Sequence, residues 1–334
     1  MRAAGTLCAM TALDHPGPDE IRIGVSSCLL GEKVRFDAGH KRDRFLTGTL
    51  ARCVRFVAVC PEFELGLGAP RESLRLVAGE DGPRLVAPRS GADHTRAMRA
   101  WARAKLDQLG ALDLSGFVLK KDSPSCGWAR VRVHRGAGPG TPTRDGRGLF
   151  AAALCERFPL LPVEEEGRLS DLPLRENFLE RVFGYRRLRA LFGGRWKLAD
   201  LVRFHTAEKF LLLAHGEAGY RALGRLVARA KGQPRAELAG HYSRLYMETL
   251  AVRATPGRHA NVLEHMLGFF DAALSAADKA ELLALVRDLR RGLVPLVVPV
   301  TLLRHHVRVH GVSYLEGQRY LEPHPRELML RNHA

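Results

Sequence analysis

The sequence predicts an α/β domain with a mainly parallel sheet, followed by an all-α domain. Three observations carry that prediction. Short apolar runs that end in turns alternate with helical stretches up to about residue 166. From about residue 171 the texture changes, and every apolar stretch has helical periodicity. Finally, all six cysteines lie in the first part of the chain and none in the second.

Each element has a local reason. Ile21 to Ser27 (IRIGVSS) alternates into a strand that ends at Cys28, and Val54 to Val59 (VRFVAV) is a second strand ending at Cys60. Gly116 to Lys120 (GFVLK) is a third, and the turn DSPSCG with Cys126 follows it. Between the second and third strands, Ala92 to Gly110 sets Ala, Met, Trp and Leu at helical spacing before a glycine stop. The stretch HRGAGPGTPTRDGRG reads as a loop, Leu149 to Phe158 as a short helix and Leu161 to Glu166 as a last strand. Strands alternating with helices argue for a parallel sheet. The expected domains are an α/β unit over residues 20–166 and six or seven helices over residues 171–334. Residues 1–19 read as a disordered extension, because their apolar run is too short and too interrupted for a signal peptide. Gly292 to Leu303 is the most apolar later stretch. It contains two prolines and is too short to span a bilayer, so no membrane partner is expected.

The chain of 334 residues has 52 Lys and Arg against 36 Asp and Glu, a net charge of +16. Residues 167–334 carry +11 of that excess and residues 1–166 only +5. Lys and Arg release condensed counterions from phosphates, so such a surface favours a polyanion. A generally Arg-rich proteome is the plainer alternative. Six cysteines in a chain this long do not make a disulfide scaffold, and reduced thiols in a cytoplasmic protein fit better.

In an open parallel sheet, ligands bind outside the carboxyl ends of the strands. Cys28, Cys60 and Cys126 each follow a predicted strand, so the topology brings them to one edge. Three converging thiolates suit a soft metal or an iron–sulfur cluster, and three leave one iron without a protein ligand. Buried small hydrophobes are the competing reading for the same cysteines. Glu62, two residues after Cys60, is a candidate general base. Ser123 and Ser125 flank the third cysteine and are candidates to orient or protonate a substrate. Arg35, Asp37, His40 and Lys41 gather after Cys28 as candidate substrate contacts, with a solvated charged loop as the alternative. Cys8, Cys53 and Cys155 lack this context and read as structural.

SSCLLGEKVRFDAGHKRDRF, VCPEFELGLGAPRE and FVLKKDSPSCG, in this order, resemble the TudS-type thiouracil desulfidases over roughly residues 20–166. The resemblance implies a 4Fe–4S cluster held by Cys28, Cys60 and Cys126 with one open iron. It also implies a catalytic carboxylate at Glu62 and a catalytic serine at either Ser123 or Ser125. HTAEKFLLLAH, RHANVLEHMLGFF, GLVPLVVPVTLLRHH and LRNH are similar to the YbgA-type helical domain over nearly all of residues 175–334. The fusion resembles the RudS-type desulfidases of 4-thiouridine in tRNA, which implies that the helical half binds tRNA. Lys209, Arg258, Arg304 and Arg308 are candidate phosphate contacts. The many histidines of this half, among them His306 and His310 four apart, read as surface or core residues, with no metal-binding pattern. Two other functions stay open: a desulfidase of free thiouracil or another small thiolated compound, and a nucleic-acid-binding regulator that senses through its cluster.

Overall fold

The structure is a computed structural model that describes residues 21–135, 141–270 and 273–332. The expected N-terminal extension and Cys8 lie outside the described residues, as does part of the Gly-rich loop after the third predicted strand. The chain divides into two compact units, which meet in sequence between Asp171 and Leu172.

Among its described residues, the first unit has eight strands and two α-helices. In chain order these are β1 (Arg22–Ser26), β2 (Arg55–Val59), β3 (Arg75–Val77), β4 (Arg84–Val86), α1 (Thr95–Gly110), β5 (Leu114–Leu119), β6 (Val131–His134), β7 (Thr143–Gly146), α2 (Leu149–Arg157) and β8 (Val163–Glu165). The main sheet has the order β2-β1-β5-β8, and all three of its pairings are parallel. β5 is buried at every residue, as a central parallel strand covered on both faces should be. The chain runs from β1 to β2 on one side and then crosses to β5 on the other. The strand order therefore reverses at β1 and β5, where a doubly wound sheet opens a crevice at its carboxyl edge.

A second sheet, β4-β3-β6-β7, was not expected. Its β3–β6 pairing is parallel and the other two are antiparallel. Leu76, Leu85, Val131 and Val133 from it pack with Met98 of α1 and Leu149 of α2 in a small core. Part of the stretch read as a loop is therefore β7, paired with β6.

The second unit is helical: α3 (Leu172–Phe192), α4 (Leu198–His215), α5 (Glu217–Ala228), α6 (Arg235–Ala251), α7 (Pro256–Leu267), α8 (Ala276–Arg290), α9 (Val297–His310) and the single turn α10 (Ser313–Glu316). No strand occurs among its described residues. Among the described residues, no helix is long and apolar enough to cross a membrane. The apolar stretch from Gly292 enters α9, where Pro299 sits in the first turn and the helix can tolerate its missing N–H.

Candidate active site at the carboxyl edge of the sheet

Three adjacent parallel strands each deliver a cysteine to the same edge. β1 ends at Ser26, and the turn Ser27–Leu30 carries Cys28. β2 ends at Val59 with Cys60 next, and β5 ends at Leu119 seven residues before Cys126. Cys28, Cys60 and Cys126 line one cavity of about 360 Å³, together with Glu62 and Ser123. All three are free thiols.

The loops that hold the thiols are fixed by backbone hydrogen bonds. The Cys28 carbonyl accepts from Lys41 N at 2.9 Å. Cys60 N donates to Glu64 Oε1 at 2.9 Å, and Glu64 pairs in turn with Lys105 at 2.7 Å. In the third loop Ser123 Oγ accepts from Ser125 N at 3.2 Å and from Cys126 N at 3.1 Å. The Ser125 carbonyl accepts from Phe150 N at 3.0 Å, which ties the loop to the start of α2. Gly148 permits that approach, since a Cβ there would lie 2.5 Å from the Ser125 carbonyl.

The sequence left the choice between the two serines open, and the structure gives them different surroundings. Ser125 is fully buried, and its hydroxyl donates to Glu62 Oε1 at 2.9 Å. Ser123 lines the cavity. Glu62 has a second partner that sequence reasoning missed. Arg71 forks onto Glu62 Oε2 through Nε at 3.0 Å and Nη2 at 2.6 Å. Its Nη1 donates to the carbonyls of Val34 at 2.9 Å and Gly68 at 2.7 Å. The chain doubles back between the two through Gly66, which adopts a φ of 92°. Gly66 and Gly68 of the GLG run, the latter with a φ of 69°, are a sequence signal that residues nine apart would meet.

Of the four candidate substrate contacts, Arg35 and Lys41 line the cavity. Asp37 and His40 do not: Asp37 pairs with Arg35 at 3.3 Å, and His40 Nδ1 accepts from Arg42 N. Lys120 and Lys121 also line the cavity, and Lys120 Nζ donates to Glu166 Oε1 at 2.5 Å.

Burial pushes the Cys28 thiol up to about 11, with the neighbouring Cys60 adding to it. Burial likewise raises Cys60, and it lifts fully buried Cys126 well above the ordinary thiol range. Three neutral thiols facing one cavity match a soft cationic group, which binds thiolates and displaces their protons. Three thiols lining one cavity are the donor set that an iron–sulfur cluster takes. Cys53 is buried and does not line the cavity, and Cys155, half-buried, lies on α2.

In the helical unit the four candidate phosphate contacts have different partners. Arg304 and Arg308 line a cavity of about 220 Å³ with Arg326 and Glu322. Arg304 and Arg326 both pair with Glu322. Burial, with the charges of Arg326 and Arg308, pulls Arg304 down to about 10. Lys209 lies over the rings of Phe210 and Tyr314. Arg258 Nη1 donates to the backbone carbonyls of His215 and Arg253.

The family described as 2-thiouracil desulfurase matches residues 23–166, and a protein of unknown function family (DUF1722) matches residues 209–325. The uncharacterized protein YbgA of Escherichia coli (strain K12) is 31% identical over 47% of this chain and 94% of its own length. The chain joins a domain of the 2-thiouracil desulfurase family to one of the YbgA family. The uncharacterized protein YbbK of Bacillus subtilis (strain 168) is 32% identical over 31% of this chain and 71% of its own. A solved structure, a 4Fe-4S-dependent thiouracil desulfidase named TudS, is 32% identical. That match covers 47% of this chain and 97% of the other, at a TM-score of 0.38.

Proposed function

We propose that the chain is an iron–sulfur-dependent desulfidase that converts 4-thiouridine in tRNA to uridine. The observation that carries this reading is one cavity, in a domain of the 2-thiouracil desulfurase family, shared by three thiols, two of them buried, and a carboxylate oriented from two sides. Cys28, Cys60 and Cys126 would hold a 4Fe–4S cluster. When bound, the cluster supplies a Lewis-acidic iron, free of protein ligand, for the sulfur of a thiocarbonyl.

The remaining chemistry belongs to the chain. Arg71 and Ser125 each take one oxygen of Glu62, which fixes the carboxylate at the cavity wall. So held, Glu62 can accept a proton from water as that water adds to the thiocarbonyl carbon. Ser123 lies on the cavity wall within the same loop, placed to donate to the substrate. Thiocarbonyl and water become carbonyl and sulfide, with no net electron transfer. Arg35, Lys41 and Lys121 give the cavity a cationic lining suited to the phosphate beside a nucleobase. The cavity holds one base, so a base within tRNA must leave its stack to reach it. The +11 of residues 167–334 suits the rest of the polyanion.

The same cavity size favours one alternative, free thiouracil or another small thiolated compound. The deciding experiment is anaerobic. The reconstituted protein is incubated with tRNA containing 4-thiouridine or, separately, with free thiouracil, and nucleosides and released sulfide are quantified. Loss of 4-thiouridine with matching uridine and sulfide, abolished in Cys126→Ala, is the expected result. Turnover of the free base alone would transfer the assignment to small substrates. A full cluster with no turnover of either would support a sensor.

A further inference from the structure

The cavity is also lined by an aromatic side chain outside the chemistry proposed for it. Phe36 lines it beside Arg35, and it is the one aromatic among the described residues that do so. Val34 and Val59, also on the lining, are buried, whereas Phe36 is 42% exposed. Single apolar residues are common on protein surfaces and need no account. This one lines a cavity, and its backbone is held there.

The hold comes from the residue that orients Glu62. Arg71 N donates to the Phe36 carbonyl at 2.9 Å, and Arg71 Nη1 donates to the Val34 carbonyl at 2.9 Å. The same guanidinium forks onto Glu62. Around Phe36 the chain turns tightly. Ala38 N donates to the Arg35 carbonyl at 3.0 Å, which sets Phe36 second in a four-residue turn, and Ala38 takes a left-handed φ of 54°. One arginine therefore fixes the backbone of Phe36 and the carboxylate of Glu62 in a common frame.

We infer that Phe36 is a substrate-binding residue on which the thiolated pyrimidine stacks, an inference that rests on reading this cavity as the desulfidase site. Every base has a π-face, and an aromatic side chain binds that face without reading the edge. Stacking therefore leaves the edge that carries the sulfur free to meet the thiols and Glu62. Arg35 Cζ lies 5.3 Å from the centroid of the Phe36 ring, within cation–π range. Asp37 pairs with Arg35 Nε at 3.3 Å and steadies the guanidinium over the ring, a role in the site for a residue that does not line the cavity. A flat ring with a cation beside it matches a nucleotide, whose base offers a flat face and whose phosphate is anionic.

The test has two arms, both on the full-length, reconstituted protein under anaerobic conditions. In the first, turnover is measured on 4-thiouridine-containing tRNA and on free thiouracil. Phe36→Ala and Phe36→Leu should each lower kcat/KM by about 5- to 150-fold, mostly through KM, with bound iron unchanged. Leucine keeps apolar bulk without the π-face. Phe36→Trp keeps the face and should stay within about threefold of the unsubstituted protein. In the second arm, tryptophan emission of Phe36→Trp and of the unsubstituted protein is titrated with uridine 5′-monophosphate. The introduced indole should add a saturable quenching that the unsubstituted protein lacks. Unchanged kinetics in Phe36→Ala, or Phe36→Leu as active as Phe36→Trp, would overturn the stacking and leave the desulfidase reading standing. A protein that turns over neither substrate would remove that reading instead. The titration needs no turnover and would then decide the stacking: added quenching sustains it, and its absence overturns it.

Discussion

The two units bury ionisable groups in opposite ways. In the α/β unit, three thiols and the carboxylate of Glu62 face an open cavity, and burial opposes charge on the thiols. In the helical unit, Arg187 forks onto Glu208 at 2.6 and 2.9 Å, Tyr246 donates to the same carboxylate at 2.9 Å, and Arg187 also reaches the Pro323 carbonyl. That network closes on itself. Groups whose needs are met by the chain hold a fold together, whereas groups left facing a cavity are set for something the chain does not supply.

Breaking the open site should cost function without fold. Cys126→Ala should abolish desulfuration and sharply lower bound iron, while far-UV circular dichroism stays native, as iron analysis and sulfide release would show together. Glu62→Gln, with its cluster intact, should lower single-turnover sulfide release by about 10²–10⁴-fold, the usual weight of a positioned acid–base group. Full activity in that variant would remove Glu62 as the base. Ser125→Ala deletes one hydrogen bond to Glu62 and should slow the same step by about five- to tenfold.

Breaking the closed network should do the reverse. Arg187→Ala strands buried Glu208 and should destabilise the fold by about 3–5 kcal/mol, read as a shift in urea unfolding. The double variant Arg187→Met with Glu208→Leu should recover most of that loss, because no unpaired charge remains. A double variant as unstable as the single one would mean that the network does more than neutralise itself.

The contrast also explains what the sequence revealed. Three strands ending in cysteines, the helix before β5 and the change to helices at about residue 171 are local patterns, and all appear in the structure. β3, β4, β6 and β7 are three or four residues long, too short for alternation to stand out, and each carries an arginine. They exist because Leu76, Leu85, Val131 and Val133 find a shared core, which is a tertiary fact. The thiols were legible because parallel topology converts scattered positions into one edge. Arg71 on Glu62 was not, because it depends on a left-handed turn inside a loop.

The smallest expected effect tests whether even a partly buried group in the closed unit carries a cost. Burial pulls His205 of α4 down from 6.5 to about 4, and the charge of Lys209 adds to that. Its Nδ1 lies 3.1 Å from the Tyr242 hydroxyl. As pH falls below 6.5 the unfolded chain takes up this proton while the folded chain does not. Stability attributable to His205 is therefore full above that value, declines through the window and is lost by about 4. Because the ring is not fully buried, the expected loss is about 1–2 kcal/mol, below the limit set by the shift itself. Other groups titrate in the same range, so the measurement is a difference: urea midpoints of the protein and of His205→Gln between neutral and acid pH. The two curves should converge as the medium becomes acidic. Parallel curves would mean that α4 admits the imidazolium at no cost, and that the closed unit is more open to water at this position than its packing indicates.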